Sequence, residues 1–245
     1  MSGRGTGHEG RQSLSSWAGA TLVIVSGVAA IAAAVVLSGR QHELAAPAGR
    51  RAEIPSGTAS LLRLSPASAA AAPGFTLTDQ DGRVRSLSGF RGKAIVLEFM
   101  DSRCTGICPL VSREFIDAYH DLGSADSRVV FLAVNVNQQY NRVTDVLAYS
   151  QAHELSAIPG WHFFTGSVGT LQAVWREYGI AVTASGPGGD LVHTTTVYFI
   201  GPHGIERYTA APPAGPAGSG AVSLPPGEIS GWGKGIAQVA LATLR

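Results

Sequence analysis

The stretch AIVLEFMDSRCTGICPL, Ala94 to Leu110, decides how the chain can fold. Its first seven residues form an apolar run with β-branched and aromatic members, the pattern of a buried strand. From Leu110 onward, apolar residues recur at Val111, Phe115, Ala118, Tyr119 and Leu122, which is helical spacing. Between strand and helix lie Cys104 and Cys108, the only two cysteines, with three residues between them and Pro109 directly after. Proline is tolerated in a first helical turn, so the pair is predicted on a strand-to-helix loop with Cys108 at the helix start. Positions four apart share a helix face, and the N–H groups of a helix start stabilise thiolates, with Arg103 adding a charge beside them. Such thiols can react, pair with each other, or bind a soft metal.

The 245 residues suffice for one medium domain with appendages. A net charge of +1, with charges well spread, leaves no basic stripe for nucleic acid. Two cysteines are too few for a disulfide scaffold, and their spacing points to redox chemistry or metal binding. Residues 1–16 form a polar tail, predicted cytoplasmic, with Arg4 and Arg11 as its positive charges. Then WAGATLVIVSGVAAIAAAVVLSG, Trp17 to Gly39, runs without a charge for longer than the ~20 residues a helix needs to cross a bilayer. It predicts a transmembrane anchor or uncleaved signal, hence a single-pass protein of the cell membrane with its folded domain on the extracytoplasmic side. Residues 40–73, rich in Ala, Pro, Ser and Arg without a sustained period, predict a flexible linker, and 74–245 the folded domain.

That domain opens with two short extended pieces around a turn at Asp79–Gly82 and enters the Ala94 strand. A second apolar strand lies within Ser127–Asn137, followed by a helix over 142–153, a short strand in Gly160–Gly166 and a helix over 168–178. A glycine-rich loop, 181–190, leads to a strand His193–Gly201, a GPHG turn and a partner strand IERYTA, together a hairpin. After a Pro/Gly-rich stretch, 210–227, apolar residues at Ile229, Trp232, Ile236, Val239, Ala240 and Leu244 predict a final helix. Gly231, Gly233 and Gly235 weaken its first turns, each by ~1 kcal/mol relative to alanine. This order is that of an α/β, thioredoxin-like fold.

The cysteines admit several chemistries. A thioredoxin-type oxidoreductase has two residues between its cysteines and a proline before the facing strand; here the spacer is three and VHTTTVYF has no proline. A peroxiredoxin has a threonine three residues before its reactive cysteine, which Thr105 and Cys108 satisfy, but the proline expected before that threonine is missing. In a thioredoxin-like arrangement the loop before the hairpin packs over the active-site helix, which brings His193 toward Cys104 and Cys108. Two thiolates and an imidazole form a soft three-coordinate site that selects Cu(I), whereas Zn(II) generally wants a fourth ligand.

At CTGICP and HTTTVYFIGPHG, with FTLTDQDGRVRSLSGFRGK ahead of them, the chain resembles the Sco/SenC proteins, which are membrane-anchored thioredoxin-like copper chaperones. The resemblance covers about Phe75 to Tyr208. It implies copper ligation by Cys104, Cys108 and His193, as Cu(I) and in an oxidised form as Cu(II), and a redox-active Cys104–Cys108 pair. It also implies delivery of copper to, or reduction of the cysteines of, the dinuclear copper centre in cytochrome c oxidase subunit II or another extracytoplasmic copper protein. The alternatives are an extracytoplasmic thiol-disulfide oxidoreductase and a copper or redox sensor. Two positions depart from the family pattern: Val192 stands where an aspartate usually precedes the histidine, and Asn135-Val136-Asn137-Gln138-Gln139 replaces an Asp-Pro loop. These bear on partner docking and redox tuning. Among the other histidines, His162 is expected to pack and His203 to be solvated in its turn; His120 and His153 lie near helix ends, and Glu98, a carboxylate inside an apolar run, needs a buried partner.

Overall fold

The Ala94 strand is buried along its whole length and carries the sheet. The computed structural model describes residues 53–184, 191–211 and 226–245. The elements in chain order are α1 (Ser56–Leu61), β1 (Ser65–Pro66), β2 (Thr76–Thr78), β3 (Val84–Ser86), β4 (Ala94–Met100), α2 (Cys108–Leu122) and β5 (Val129–Asn135). There follow α3 (Val143–Ala152), β6 (Trp161–Phe164), α4 (Val168–Glu177), β7 (Val182–Ala184), β8 (Leu191–His193), β9 (Val197–Ile200), β10 (Glu206–Ala210) and α5 (Pro226–Thr243). The main sheet runs β1-β10-β9-β4-β5-β6. β4, β5 and β6 are parallel, and β9 joins β4 antiparallel. Parallel strands buried on both faces read as continuous apolar runs, which is why AIVLEFM and VVFLAVN show no alternation.

Alternate residues feed two cores. Val96, Met100, Phe131 and Phe163 face α2, α3 and α5, packing with Val111, Phe115, Val146 and Trp232. Ile95, Leu97, Phe99 and Leu132 face α4 and the β2–β3 hairpin, packing with Leu171, Trp175, Leu77 and Phe90. The result is an α/β, thioredoxin-like domain.

Three expectations change. The predicted linker is folded from α1 onward: Leu62 is fully buried, and β1 pairs with β10 through Ser65↔Thr209 and Pro66↔Tyr208. A helix of six residues and a strand of two are too short to produce a period, so composition alone made this stretch look like a tether. The strand predicted to run from His193 is broken: His193 ends β8, Thr194–Thr196 turn away, and β9 begins at Val197. Within the predicted glycine-rich loop, Val182–Ala184 pair antiparallel with β8 in a separate two-stranded sheet, while 185–190 lie outside the described residues. The predicted membrane segment, Trp17 to Gly39, and residues 212–225 also lie outside them. Among the described residues no helix is long and apolar enough to cross a membrane.

The glycines of α5 have a packing cause that their helix propensity conceals. A Cβ on Gly233 would stand 2.6 Å from Asp117 Cβ and 3.0 Å from the Glu114 carbonyl oxygen, both on α2. One on Gly231 would meet Leu61, and one on Gly235 would meet Leu62. Bare backbone there lets α5 lie directly on α2 and α1. Alanine in place of an interior helical glycine ordinarily stabilises by ~1 kcal/mol. At Gly233 the sign reverses: Gly233→Ala is expected to destabilise by about 1–3 kcal/mol through overpacking, read as a lower urea midpoint. An unchanged or raised midpoint excludes the close seam.

Candidate dithiol site

The loop from Asp101 to Ile107 is held by hydrogen bonds that fix both cysteines before any partner is considered. Asp101 Oδ1 accepts from the Arg103 N–H and from Asn137 Nδ2, each at 2.8 Å, and the Asp101 carbonyl accepts from the Cys104 N–H at 3.1 Å. The Ser102 hydroxyl donates to the Tyr140 carbonyl at 2.8 Å, as does Asn135 Nδ2. Asn135 Oδ1 accepts from the Ser102 and Asn137 N–H groups. Thus the asparagines that depart from the family's Asp-Pro loop brace the cysteine loop from the neighbouring strand. In the sequence they stand out only as a departure that bears on docking and redox tuning; the signal for a brace is two Asx residues at a strand end, with their habit of bonding nearby backbone.

α2 begins at Cys108, with Ile107 in the cap position and Pro109 in the first turn. No side chain at the cap position accepts a helix-start N–H; instead the Cys108 N–H points at Cys104 Sγ, 3.4 Å away. Both cysteines are free thiols, Cys104 partly exposed and Cys108 buried. The Cys108 thiol donates to Cys104, and this is the main reason the Cys104 pKa is lowered from 9.0 to about 7. Burial opposes that shift, and the backbone N–H groups of Cys108 and Gly106 assist it. The same hydrogen bond, with burial and the Cys104 charge, pushes Cys108 well above its ordinary value. The pair is therefore asymmetric: an accessible thiolate over a buried thiol.

His193 lies at the end of β8, paired with Val182. Its Nδ1 lies 3.1 Å from the Thr194 carbonyl oxygen; donation there leaves Nε2 as a free acceptor. Burial lowers its pKa, so the imidazole is neutral and able to ligate. Asp101 acts electrostatically on both His193 and Cys104. The structure brings the two thiols together but does not close His193 onto them. Among the described residues no group of three His, Cys, Asp or Glu side chains is assembled to hold a metal.

Of the remaining candidates, His162 packs as expected, stacked on Phe164, and also lies 3.2 Å from the buried Asp79 carboxylate. His153 lines a groove of about 290 Å³ beside Cys104, together with Arg103, Thr105 and Tyr149. Glu98 is buried under the site with Oε2 unpartnered among the described residues, as are Glu114 Oε2 on α2 and Trp232 Nε1 on α5. Burial and mutual repulsion raise Glu98 well above its usual range, and burial with Asp117 and Glu228 nearby raises Glu114 from 4.5 to about 8.

The SCO1/SenC family model matches residues 65–216. The SCO1 protein homolog of Bacillus subtilis (strain 168) is 24% identical over 135 residues, covering 53% of this chain and 68% of that protein. A putative chloroplastic peroxiredoxin Q of Oryza sativa subsp. indica is 42% identical over 60 residues, covering 24% of this chain and 28% of that one. The crystal structure of Arabidopsis thaliana ScoI with copper bound superposes with a TM-score of 0.53 at 20% identity, over 59% of this chain and 90% of that chain.

Alkylation of Cys104 by iodoacetamide is expected to rise through a midpoint near pH 7, and Cys108→Ala to raise that midpoint by removing the thiol donor. An unshifted midpoint in the variant excludes the thiol–thiol hydrogen bond as its cause. For Glu114 the folded state keeps a proton that the unfolded chain loses above about 4.5, so stability falls as pH rises toward 8. Glu114→Gln is accordingly expected to raise the urea midpoint at pH 8 relative to the parent and to leave it little changed below pH 4.5. Equal pH profiles for the two proteins exclude a protonated buried carboxyl.

Proposed function

The chain belongs to the SCO1/SenC family, and from that membership we propose that it is a copper chaperone whose reduced dithiol takes Cu(I). The observation that carries this reading is the pair of free cysteines at the start of α2, joined by the Cys108 N–H to Cys104 Sγ hydrogen bond, with His193 Nδ1 committed to the Thr194 carbonyl and Nε2 left to accept. Two thiolates and a neutral imidazole are soft ligands suited to Cu(I). Cys104 offers a thiolate near neutral pH; Cys108 holds its proton and loses it on metal binding, so loading releases protons. His193 sits on a short hairpin outside the main sheet, and loading the site requires that hairpin to close on the thiols. Membrane anchoring through Trp17 to Gly39, an extracytoplasmic domain, and transfer of copper to the dinuclear centre of cytochrome c oxidase subunit II or another extracytoplasmic copper protein complete the proposal.

A second reading, thiol-disulfide reduction on extracytoplasmic substrates, is favoured by the asymmetry of the thiols, since an exposed nucleophile above a buried resolving thiol is the arrangement such exchange uses. The two readings part at His193. The reduced protein is expected to bind one Cu(I), the Cys104–Cys108 disulfide none, and His193→Ala to weaken affinity at least about tenfold in competition with a Cu(I) chelator while keeping disulfide exchange. Undiminished copper affinity in His193→Ala, or no stoichiometric copper in the reduced parent, rejects the chaperone assignment.

A further inference from the structure

The groove beside Cys104 lies between the 102–105 loop and α3, and His193 is not among its lining residues. At about 290 Å³ it is the size of a small-ligand pocket. Its walls carry the donors Arg103 and His153 together with the Asp145 carboxylate, which is itself paired with Arg142. The Arg103 guanidinium lies 4.5 Å over the Tyr140 ring, and among the described residues it makes no ion pair. Thr105 lines the same wall. Beneath the groove Cys104 Sγ accepts from the Cys108 N–H at 3.4 Å, so the residue that carries the second thiol is already next to the first.

We propose that this groove is a hydroperoxide site in which Cys104 reduces the O–O bond and Cys108 resolves the product. A small ligand with a developing oxyanion uses fixed N–H donors, whereas the leaving thiolate of a disulfide has little need of them. The Cys104 sulfur attacks the terminal peroxide oxygen; the S–O bond forms as the O–O bond breaks. The departing hydroxide or alkoxide, stabilised by Arg103, takes a proton from water and leaves as water or alcohol. Cys104 is then a sulfenic acid. The Cys108 sulfur attacks it, the S–S bond forms, the S–O bond breaks, and hydroxide leaves with the Cys108 proton as water. The dithiol has lost two electrons and the peroxide has gained them. An external dithiol returns the protein to its reduced state by exchange. No step involves copper, and copper held by the same two sulfurs would block the reaction, so it belongs to the metal-free dithiol.

The test uses the full chain in detergent, reduced, stripped of metal and kept with a chelator, mixed with hydrogen peroxide or cumene hydroperoxide. Thiol loss is expected to run at least about tenfold faster per thiolate than in free dithiothreitol. The faster of the two peroxides identifies the substrate source. Cys108→Ser is expected to retain one added oxygen at Cys104 that dimedone captures, and Cys104→Ser to lose the fast phase. Arg103→Leu is expected to slow peroxide reduction at least about fivefold and iodoacetamide alkylation of the same thiol less than about twofold. A rate per thiolate under tenfold above dithiothreitol overturns the proposal, as does an Arg103→Leu variant in which both reactions fall alike or neither falls. Since metal is absent throughout, none of these outcomes depends on whether the protein binds copper.

Discussion

A sulfur atom stands where a helix cap is wanted. α2 starts without a side-chain oxygen to satisfy its first N–H groups, and Cys104 Sγ accepts from the N–H of Cys108 while also accepting from that residue's thiol. Because the first turn of a helix carries partial positive charge, negative charge on Cys104 is stabilised by the backbone itself. The helix start and the reactive thiol thus depend on one another. Everything else in the domain keeps these few atoms in register: β4 delivers the loop, β5 supplies Asn135 and Asn137 to hold it, and α5 seats α2 from behind.

Beneath the exposed thiol the chain places charge where it is disfavoured. Glu98 and Glu114 are buried close enough to repel, and each leaves one oxygen without a partner among the described residues. Burial keeps such carboxyls protonated. Cys108 is held as a thiol chiefly by its hydrogen bond to Cys104, with burial and the Cys104 charge adding to the effect, and this preserves the difference between the two sulfurs. The asymmetry therefore comes from the contact between the two cysteines and from their unequal burial.

Much of this was legible in the sequence because the cause was local. The apolar run of β4, the spacing of α2, Pro109 and the cysteine pair give strand, loop and helix directly. The hairpin β9–β10 and the helices α3, α4 and α5 were likewise visible as period and turn chemistry. What escaped had non-local causes. α1 and β1 are folded only because α5 and β10 cover them. The glycines of α5 look like weak helix formers until α2 is seen against them. Asn135 and Asn137 differ from the family pattern, and their role as a brace appears only when β5 lies beside β4. His193 was placed at the start of a long strand, whereas the break at Thr194–Thr196 puts it on a separate hairpin.

The glycine seam also has a bearing on the order of assembly. α2 receives its rear support from α5, which comes after β10 in chain order, so the dithiol helix can be paired through β4 and β5 long before its far side is covered. During synthesis, Trp232 and Ile236 are not available until every strand of the main sheet has been made. Over that interval Phe115 and Ala118 lack their final neighbours, and the thiols above them lack a fixed platform. The finished chemistry of the cysteine pair is consequently acquired well after the pair itself has been made, and α5 is the part whose arrival completes it.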